Sequence, residues 1–166
     1  MSGKLGLHRL QGHYPIFVLV FVNYLAYQRE MLAVNGRVVL LELAPVDPRS
    51  LIQGDYMRLR YALSNDIEEH TDVSRGFVVV RIDANNVAHY VRIYNSITPP
   101  GKNEILLPFR QESFDVRVGP KSFFFQEGHA GFYDDARYGE LRVSESGAVL
   151  LVGLRDENFK PLGPPE

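Results

Sequence analysis

The chain has no cysteine and no tryptophan among its 166 residues. The absence of cysteine excludes disulfide bonds, thiol catalysis and zinc–thiolate sites, and it leaves the redox compartment undetermined. An excess of charge of one sign is missing as well, since 18 basic and 20 acidic residues give a net charge of -2. This balance gives no reason to expect binding to nucleic acid or a general attraction to an anionic membrane surface.

The sequence patterns of common catalytic and ligand sites are also missing. There is no Gly-x-Ser-x-Gly elbow for a serine nucleophile and no glycine-rich loop for a phosphate group. Acidic and histidine residues cluster twice, but neither cluster has the spacing of metal ligands on a helix face. The clusters are Glu68, Glu69, His70 and Asp72, and His129 with Asp134 and Asp135. We interpret both as solvated charge and predict no metal site and no cofactor.

Short apolar segments recur along the chain, together with 9 tyrosines and 10 phenylalanines, and this composition favours β-structure. Turn residues predict hairpins at 76–94 and 138–154, and further strands at 37–44, 56–63, 104–109, 115–118 and 121–126. Short helical stretches are predicted at 65–72, with Ser64 as N-cap, and near 129–137. His89 alternates with Val87 and Val91, so it is predicted to be a core histidine.

The predicted fold is mainly β: a single antiparallel β domain, as a sheet or a partly open barrel, preceded by an N-terminal hydrophobic helix. A chain of 166 residues suits one domain of this kind. We assign residues 1–34 to a hydrophobic anchor or signal-like helix, 35–162 to the β domain, and 163–166 to a disordered tail.

The apolar run at residues 14–27 admits three interpretations. It is about 14 residues long, short of the ~20 that cross a bilayer, unless it extends to residue 34 with Arg29 and Glu30 at the interface. A single membrane anchor is the favoured interpretation. The alternatives are a signal segment, retained or cleaved, and a helix or strand packed on the domain. Charges on the two sides of the run leave the membrane orientation undecided.

One stretch organises the β domain: residues 54–61, which read Gly-Asp-Tyr-Met-Arg-Leu-Arg-Tyr. Turn residues precede it, and its side chains then alternate. One face carries Met57, Leu59, Tyr61 and Leu63, and the other carries Tyr56, Arg58 and Arg60. The Asp55 carboxylate is placed to accept hydrogen bonds from the turn or to pair with Arg49. The stretch therefore predicts a turn, a buried strand and a carboxylate that locks them together.

This stretch resembles the signature of the GDYXXLXY family of bacterial membrane-anchored proteins, and it fills every fixed letter of that name. The resemblance covers roughly residues 38–162, including the segment 137–142. It implies a hydrophobic helix directly before the domain, a domain outside the cytoplasm, and no assigned biochemical activity. The motif residues that we interpret as structural are Asp47, Pro48, Arg49, Gly54, Asp55, Tyr56, Leu59 and Tyr61.

Arginine and tyrosine also alternate on a second predicted strand. If the two strands are neighbours, they form one Arg/Tyr-rich face, a composition typical of interfaces. Its residues are Tyr56, Arg58, Arg60, Tyr90, Arg92 and Tyr94. We therefore expect a membrane-anchored, extracytoplasmic accessory protein without catalytic activity. Its expected partner is another membrane or envelope protein, or a second copy of itself.

A hydrolase similar to signal peptidases is the alternative function. Those enzymes use a serine–lysine pair, and the pair available in this chain is Ser50 with Lys121. Ser50 is followed by Leu51, whereas the nucleophile of those enzymes is followed by methionine. This alternative requires Ser50 and Lys121 to lie within hydrogen-bonding distance.

Overall fold

The computed structural model describes residues 14–44, 52–53, 56–112 and 115–165. Within them, the helices are α1 (Tyr14–Asn35), α2 (Ala62–His70) and a 3-10 helix (Ala130–Tyr133). The strands are β1 (Arg37–Glu42), β2 (Ile52–Gln53), β3 (Tyr56–Arg58), β4 (Arg75–Ile82), β5 (Ala88–Ile93), β6 (Glu104–Glu112), β7 (Asp115–Arg117), β8 (Ser122–Phe124), β9 (Tyr138–Val143) and β10 (Val149–Arg155).

The described strands form three antiparallel sheets. Their orders are β1-β9-β10, β2-β3-β8 and β5-β4-β6-β7. We call the second of these the small sheet. Isolated bridges join β1 to its neighbours, one from Leu40 to Val87 and one from Leu43 to Tyr61. The predicted fold class, a mainly β antiparallel domain after an N-terminal helix, is confirmed.

All three sheets contribute side chains to one apolar core. In β1, Val39 and Leu41 face the core and are fully buried, because alternate residues of a strand share a face. The partners from the other sheets include Val78 and Val80 of β4, Leu107 of β6, Leu141 of β9 and Met57 of β3. Burial of this continuous apolar surface is the main favourable contribution to folding.

The motif strand is shorter than the sequence predicts. β3 ends at Arg58, and α2 begins at Ala62. The prediction that the strand continues to residue 63 is therefore wrong. The chain leaves the small sheet here because Tyr61 forms its bridge to Leu43 at the end of β1. The predicted core face is nevertheless confirmed, since Met57, Leu59, Tyr61 and Leu63 are all buried.

Ser64 does not cap α2. The N-cap position is Tyr61, and Ser64 lies inside the helix with only 2% of its surface exposed. The helix therefore begins before the predicted stretch at 65–72. The helix predicted near 129–137 is present as the short 3-10 helix Ala130–Tyr133.

A bulge in β5 changes which of its residues face the core. Tyr90 lies opposite Val80, whereas Arg92 lies opposite Val79, so Val91 is an extra residue between the two pairs. Tyr90 consequently packs on the core and Arg92 points to the other face of the sheet. Sequence alternation, which places Tyr90, Arg92 and Tyr94 on one face, is wrong for this strand.

The bulge and its hairpin also change the environment of His89, which the sequence predicts to be a core residue. His89 lies opposite Arg81 on the solvent-exposed face of β4 and β5, and about half of its side chain is exposed. Its Nε2 atom lies 2.9 Å from Oδ2 of Asp83. The same carboxylate accepts backbone hydrogen bonds from Asn85 and Val87. The prediction of a core histidine is therefore wrong.

Helix α1 is joined to β1 by one residue, Gly36. The junction is tight: a Cβ atom on Gly36 would lie 2.5 Å from the carbonyl oxygen of Leu32 and 2.8 Å from Cβ of Arg142. Residues 16–31 of the helix are exposed, so this part of it does not pack on the described part of the domain, contrary to the third interpretation of the segment. By length and composition, the segment Ile16–Asn35 is able to cross a membrane.

Candidate functional site

The second half of the motif is a structural lock built around Tyr61. Its ring lies between two glycines, because a Cβ atom would be 3.2 Å from the ring at Gly119 and 3.0 Å at Gly139. Its hydroxyl donates a 2.9 Å hydrogen bond to the carbonyl of Pro120. Burial raises the pKa of the Tyr61 hydroxyl far above its ordinary value. The phenol therefore remains a protonated hydrogen-bond donor at physiological pH.

Backbone hydrogen bonds hold the residues just before Tyr61. The amide of Leu59 donates to the carbonyl of Lys121 at 2.7 Å, and Arg60 accepts from the amide of Ala44 at 2.8 Å. The motif backbone is thus fixed on one side to the segment before β8 and on the other to the end of β1. The Leu59 side chain fills the core and is 6% exposed.

Arg60 is part of a network of ion pairs and is not an isolated surface charge. Its guanidinium lies 3.8 Å from Glu68 of α2 and 3.7 Å from Asp115 of β7. Oε1 of Glu68 also accepts a 3.0 Å hydrogen bond from the amide of Val116. The network therefore joins the motif, α2 and β7. These groups are partly solvated, so each pair contributes on the order of 1 kcal/mol or less.

Lys121, the proposed lysine of a hydrolase, is bound by carboxylates. Its Nζ atom lies 3.1 Å from Glu112 and 3.3 Å from Asp115. Arg117 also pairs with Glu112 at 3.2 Å, and hydrogen bonds from Lys121 and Arg117 lower the pKa of the Glu112 carboxyl. Ser50 lies outside the described residues. The cleft beside Lys121 measures about 10 Å³, room for a single water molecule.

The outer face of the small sheet carries a patch of half-buried Tyr56, exposed Arg58 and exposed Phe124, which we call the Tyr56–Phe124 patch. Tyr56 and Phe124 lie opposite each other in β3 and β8, with ring centroids 5.7 Å apart. Phe124 is 74% exposed. Arg58, opposite Ser122 on the same face, is exposed beside them. The patch combines three residue types that are enriched at protein interfaces.

Sequence reasoning missed Phe124, although a signal for it exists. Three phenylalanines follow one another at 123–125. Phe123 and Phe125 both pack on Tyr133, with ring centroids 5.0 Å and 5.4 Å from it. Because neighbouring side chains of a strand point to opposite faces, the middle phenylalanine must face outward.

The predicted Arg/Tyr face is divided between two sheets. Tyr56 and Arg58 belong to the small sheet, whereas Tyr90 and Arg92 belong to β5 of the four-stranded sheet, so the condition for one shared face, that the two strands are neighbours, is not met. Tyr90 packs against the ring of His70, with centroids 4.8 Å apart, and burial raises the pKa of its hydroxyl.

Arg92 interacts with the loop that follows β5 and with the first residue of β6. It donates a 3.0 Å hydrogen bond to the carbonyl of Thr98 and lies 4.0 Å from Glu104. Tyr94 is half-buried, and its amide bonds to the carbonyl of Phe77. This half of the predicted face therefore stabilises the four-stranded sheet.

Several sequence predictions concern residues that the structure does not describe. These are Asp47, Pro48, Arg49, Gly54 and Asp55, so the predicted carboxylate lock lies outside the described residues. Among the residues that are described, no group of three or more histidine, aspartate or glutamate side chains is arranged to hold a metal ion.

Together, the fold and these sites define a class: a small, mainly β protein led by a helix that is long and apolar enough to cross a membrane. Within that class, the chain belongs to the GDYXXLXY family. The family model described as "GDYXXLXY protein" matches residues 18–154, from within α1 to within β10. No curated protein matches the chain, and no solved structure matches it.

Proposed function

We propose that α1 anchors this protein in a membrane and that the β domain binds another envelope protein outside the cytoplasm. The observation that carries this proposal is the exposed apolar surface of α1, which continues into β1 through the single residue Gly36. Family membership supports the anchor, because the match includes most of α1 as well as the β domain.

The dimensions of α1 fit a bilayer. Its 22 residues give a helix about 33 Å long, and the hydrocarbon core is about 30 Å thick. From Ile16 to Val22, apolar side chains cover its whole circumference, so this part of the helix has no polar face to present to water. Within the described structure, the domain covers none of the central apolar surface of the helix. A lipid environment would bury all of it.

The charged end of α1 sets the position of the domain. Arg29 and Glu30 lie in the last turns of the helix, where long charged side chains reach the head-group region. Only Gly36 separates the end of α1 from β1, and Nη1 of Arg142 donates a 3.4 Å hydrogen bond to the carbonyl of Gly36. The β domain therefore lies directly at the membrane surface in this proposal.

The Tyr56–Phe124 patch is the proposed binding surface. Its partner is a protein with an apolar pocket for Phe124 and an acidic group for Arg58, since complementary charge and buried aromatic anchors carry binding energy. Arg58 has no partner among the ion pairs described, unlike Arg60, so its charge is available to a second protein.

A photo-cross-linking residue in place of Phe124, in full-length protein within intact cells, tests this function. We expect one discrete adduct with a different protein, and we expect Arg58→Glu to abolish it. The same cross-linker at Ile97, which is 86% exposed in a loop, is the control and should give no adduct. Equal labelling from both positions would contradict the proposal, and an adduct of two copies of this chain would replace it with self-association.

A further inference from the structure

We infer that α1 also pairs with the α1 of a second copy of this protein inside the membrane. The contact surface is a set of four polar or amphipathic side chains, Asn23, Tyr24, Tyr27 and Gln28, which we call the amide stripe. This inference rests on the membrane anchor proposed above. It extends that function because it assigns the anchor a partner as well as a location.

The amide stripe occupies one side of α1. At about 100° per residue, its four members fall within an arc of roughly 140°. The opposite side of the same segment is entirely apolar and carries Val18, Val22, Leu25 and Ala26. Within the described structure, the β domain covers neither side. Lipid tails can cover the apolar side, but they cannot form hydrogen bonds with the amide stripe, which therefore needs a polar partner.

Asn23 is the residue of the stripe that most needs a hydrogen-bond partner. Its Nδ2 atom donates a 2.8 Å hydrogen bond to the carbonyl of Leu19 in its own helix. Its Oδ1 atom accepts no hydrogen bond from any described residue. Asn23 precedes Arg29 by six positions, which is about 9 Å along the helix axis, so it lies within the hydrocarbon region. An amide oxygen there is costly unless it accepts a hydrogen bond.

The neighbouring pair supplies a donor on the same side. Nε2 of Gln28 lies 2.6 Å from the Tyr24 hydroxyl oxygen, one helical turn away. When Gln28 donates to this oxygen, the hydroxyl proton of Tyr24 remains available to an outside acceptor. The stripe therefore carries both a free acceptor, on Asn23, and a free donor, on Tyr24.

A second copy of α1 is the partner that fits this arrangement. An amide group both donates and accepts, so Asn23 is complementary to Asn23 of an identical helix across a two-fold axis. Buried polar side chains of this kind favour helix association in membranes. The tight junction at Gly36 fixes each β domain to its helix, so pairing would bring two β domains side by side on the membrane.

The absence of cysteine allows a direct test with single reporters in the full-length chain in lipid vesicles. Val20→Cys lies on the side of the amide stripe, and Val22→Cys lies on the opposite side. Under mild oxidation we expect a disulfide-linked dimer from Val20→Cys and little or none from Val22→Cys. Dimer formed equally from both positions, or mainly from Val22→Cys, would overturn the assignment of the stripe.

Energy transfer between labelled copies in the same vesicles measures the strength of pairing. Asn23→Leu should weaken dimerisation by about 3- to 30-fold, the range expected for one polar contact between membrane helices. Asn23→Gln should retain most of the pairing, and Leu25→Ala on the opposite side should leave it unchanged. Equal pairing by the wild-type and Asn23→Leu chains would overturn the inference.

Membrane extraction separates this inference from the function on which it rests. A full-length chain that resists alkaline extraction but is monomeric in vesicles would overturn helix pairing and leave the anchor intact. A full-length chain that alkaline carbonate releases from membranes would overturn the anchor, and helix pairing with it.

Discussion

The ring of Tyr61 packs so closely on Gly139 that a Cβ atom at position 139 would lie 3.0 Å from Cε1 of the tyrosine. Tyr61 is the last residue of the motif, and Gly139 belongs to the segment 137–142 of β9. Two sequence signatures that lie far apart along the chain are therefore halves of one packing contact. A Cβ atom at position 139 would therefore force the Tyr61 ring to shift by a few tenths of an ångström.

Gly139→Ala should destabilise the protein by about 1–3 kcal/mol, because the added methyl group overpacks a filled core. Besides the Tyr61 ring, it would meet Cδ1 of Leu151 at 3.4 Å. The measurement is chemical unfolding of the full-length chain in detergent. Gly153→Ala in β10 is the matched control, because nothing lies within 4 Å of a Cβ atom there. Equal stability of the two variants would contradict the proposed packing.

The raised pKa of Tyr61 predicts a loss of stability at alkaline pH. A tyrosine whose folded pKa exceeds its unfolded value of about 10 stabilises the fold fully below pH 10, and this contribution falls as the pH rises further. Tyr61→Phe removes this pH dependence and leaves the carbonyl of Pro120 unpaired, at a cost of about 1–3 kcal/mol at neutral pH.

Unfolding free energies measured from pH 7 to pH 11 test this prediction. The curve of the wild-type chain should fall more steeply above pH 10 than that of Tyr61→Phe. The control variant is Tyr138→Phe, which removes the hydroxyl of a half-buried tyrosine of β9. Parallel curves for the wild type and Tyr61→Phe would show that the hydroxyl is not buried in solution.

Adjacent positions in the motif should respond to substitution in opposite ways. Leu59 is buried and Arg58 is exposed. Leu59→Ala should cost roughly 2–5 kcal/mol through the cavity that it leaves, whereas Arg58→Ala should change stability by less than about 0.5 kcal/mol. The melting temperatures of the two variants, compared with that of the wild type, test this prediction. If Arg58→Ala also unfolds the domain, Arg58 is structural and the Tyr56–Phe124 patch is not a binding surface.

The anchor predicts how the protein fractionates. Full-length protein should remain with membranes after alkaline carbonate washing, because about 20 apolar-rich residues of α1 lie in the lipid. A chain that begins at Asn35 lacks this helix and should be released while keeping a β-type circular dichroism spectrum. A full-length chain that is monomeric and soluble without detergent would remove the anchor.

The sequence by itself determined the two hairpins and the core face of the motif. Apolar segments separated by turn residues identified the hairpins of β4 with β5 and β9 with β10. Alternation identified the buried side chains of the motif, because period-two burial is a local property of a strand. The motif letters were sufficient to recognise the family, which the match over residues 18–154 confirms.

Only the tertiary structure decided which strands pair and which side chains share a face. The bulge at Val91 placed Tyr90 and Arg92 on opposite faces of the sheet, and a bulge depends on how two strands pair. The bridge from Tyr61 to Leu43 ended the motif strand early, and the pairing of β3 with β8 brought Tyr56 beside Phe124. These contacts join residues far apart in the chain, so no local pattern of residues contains them.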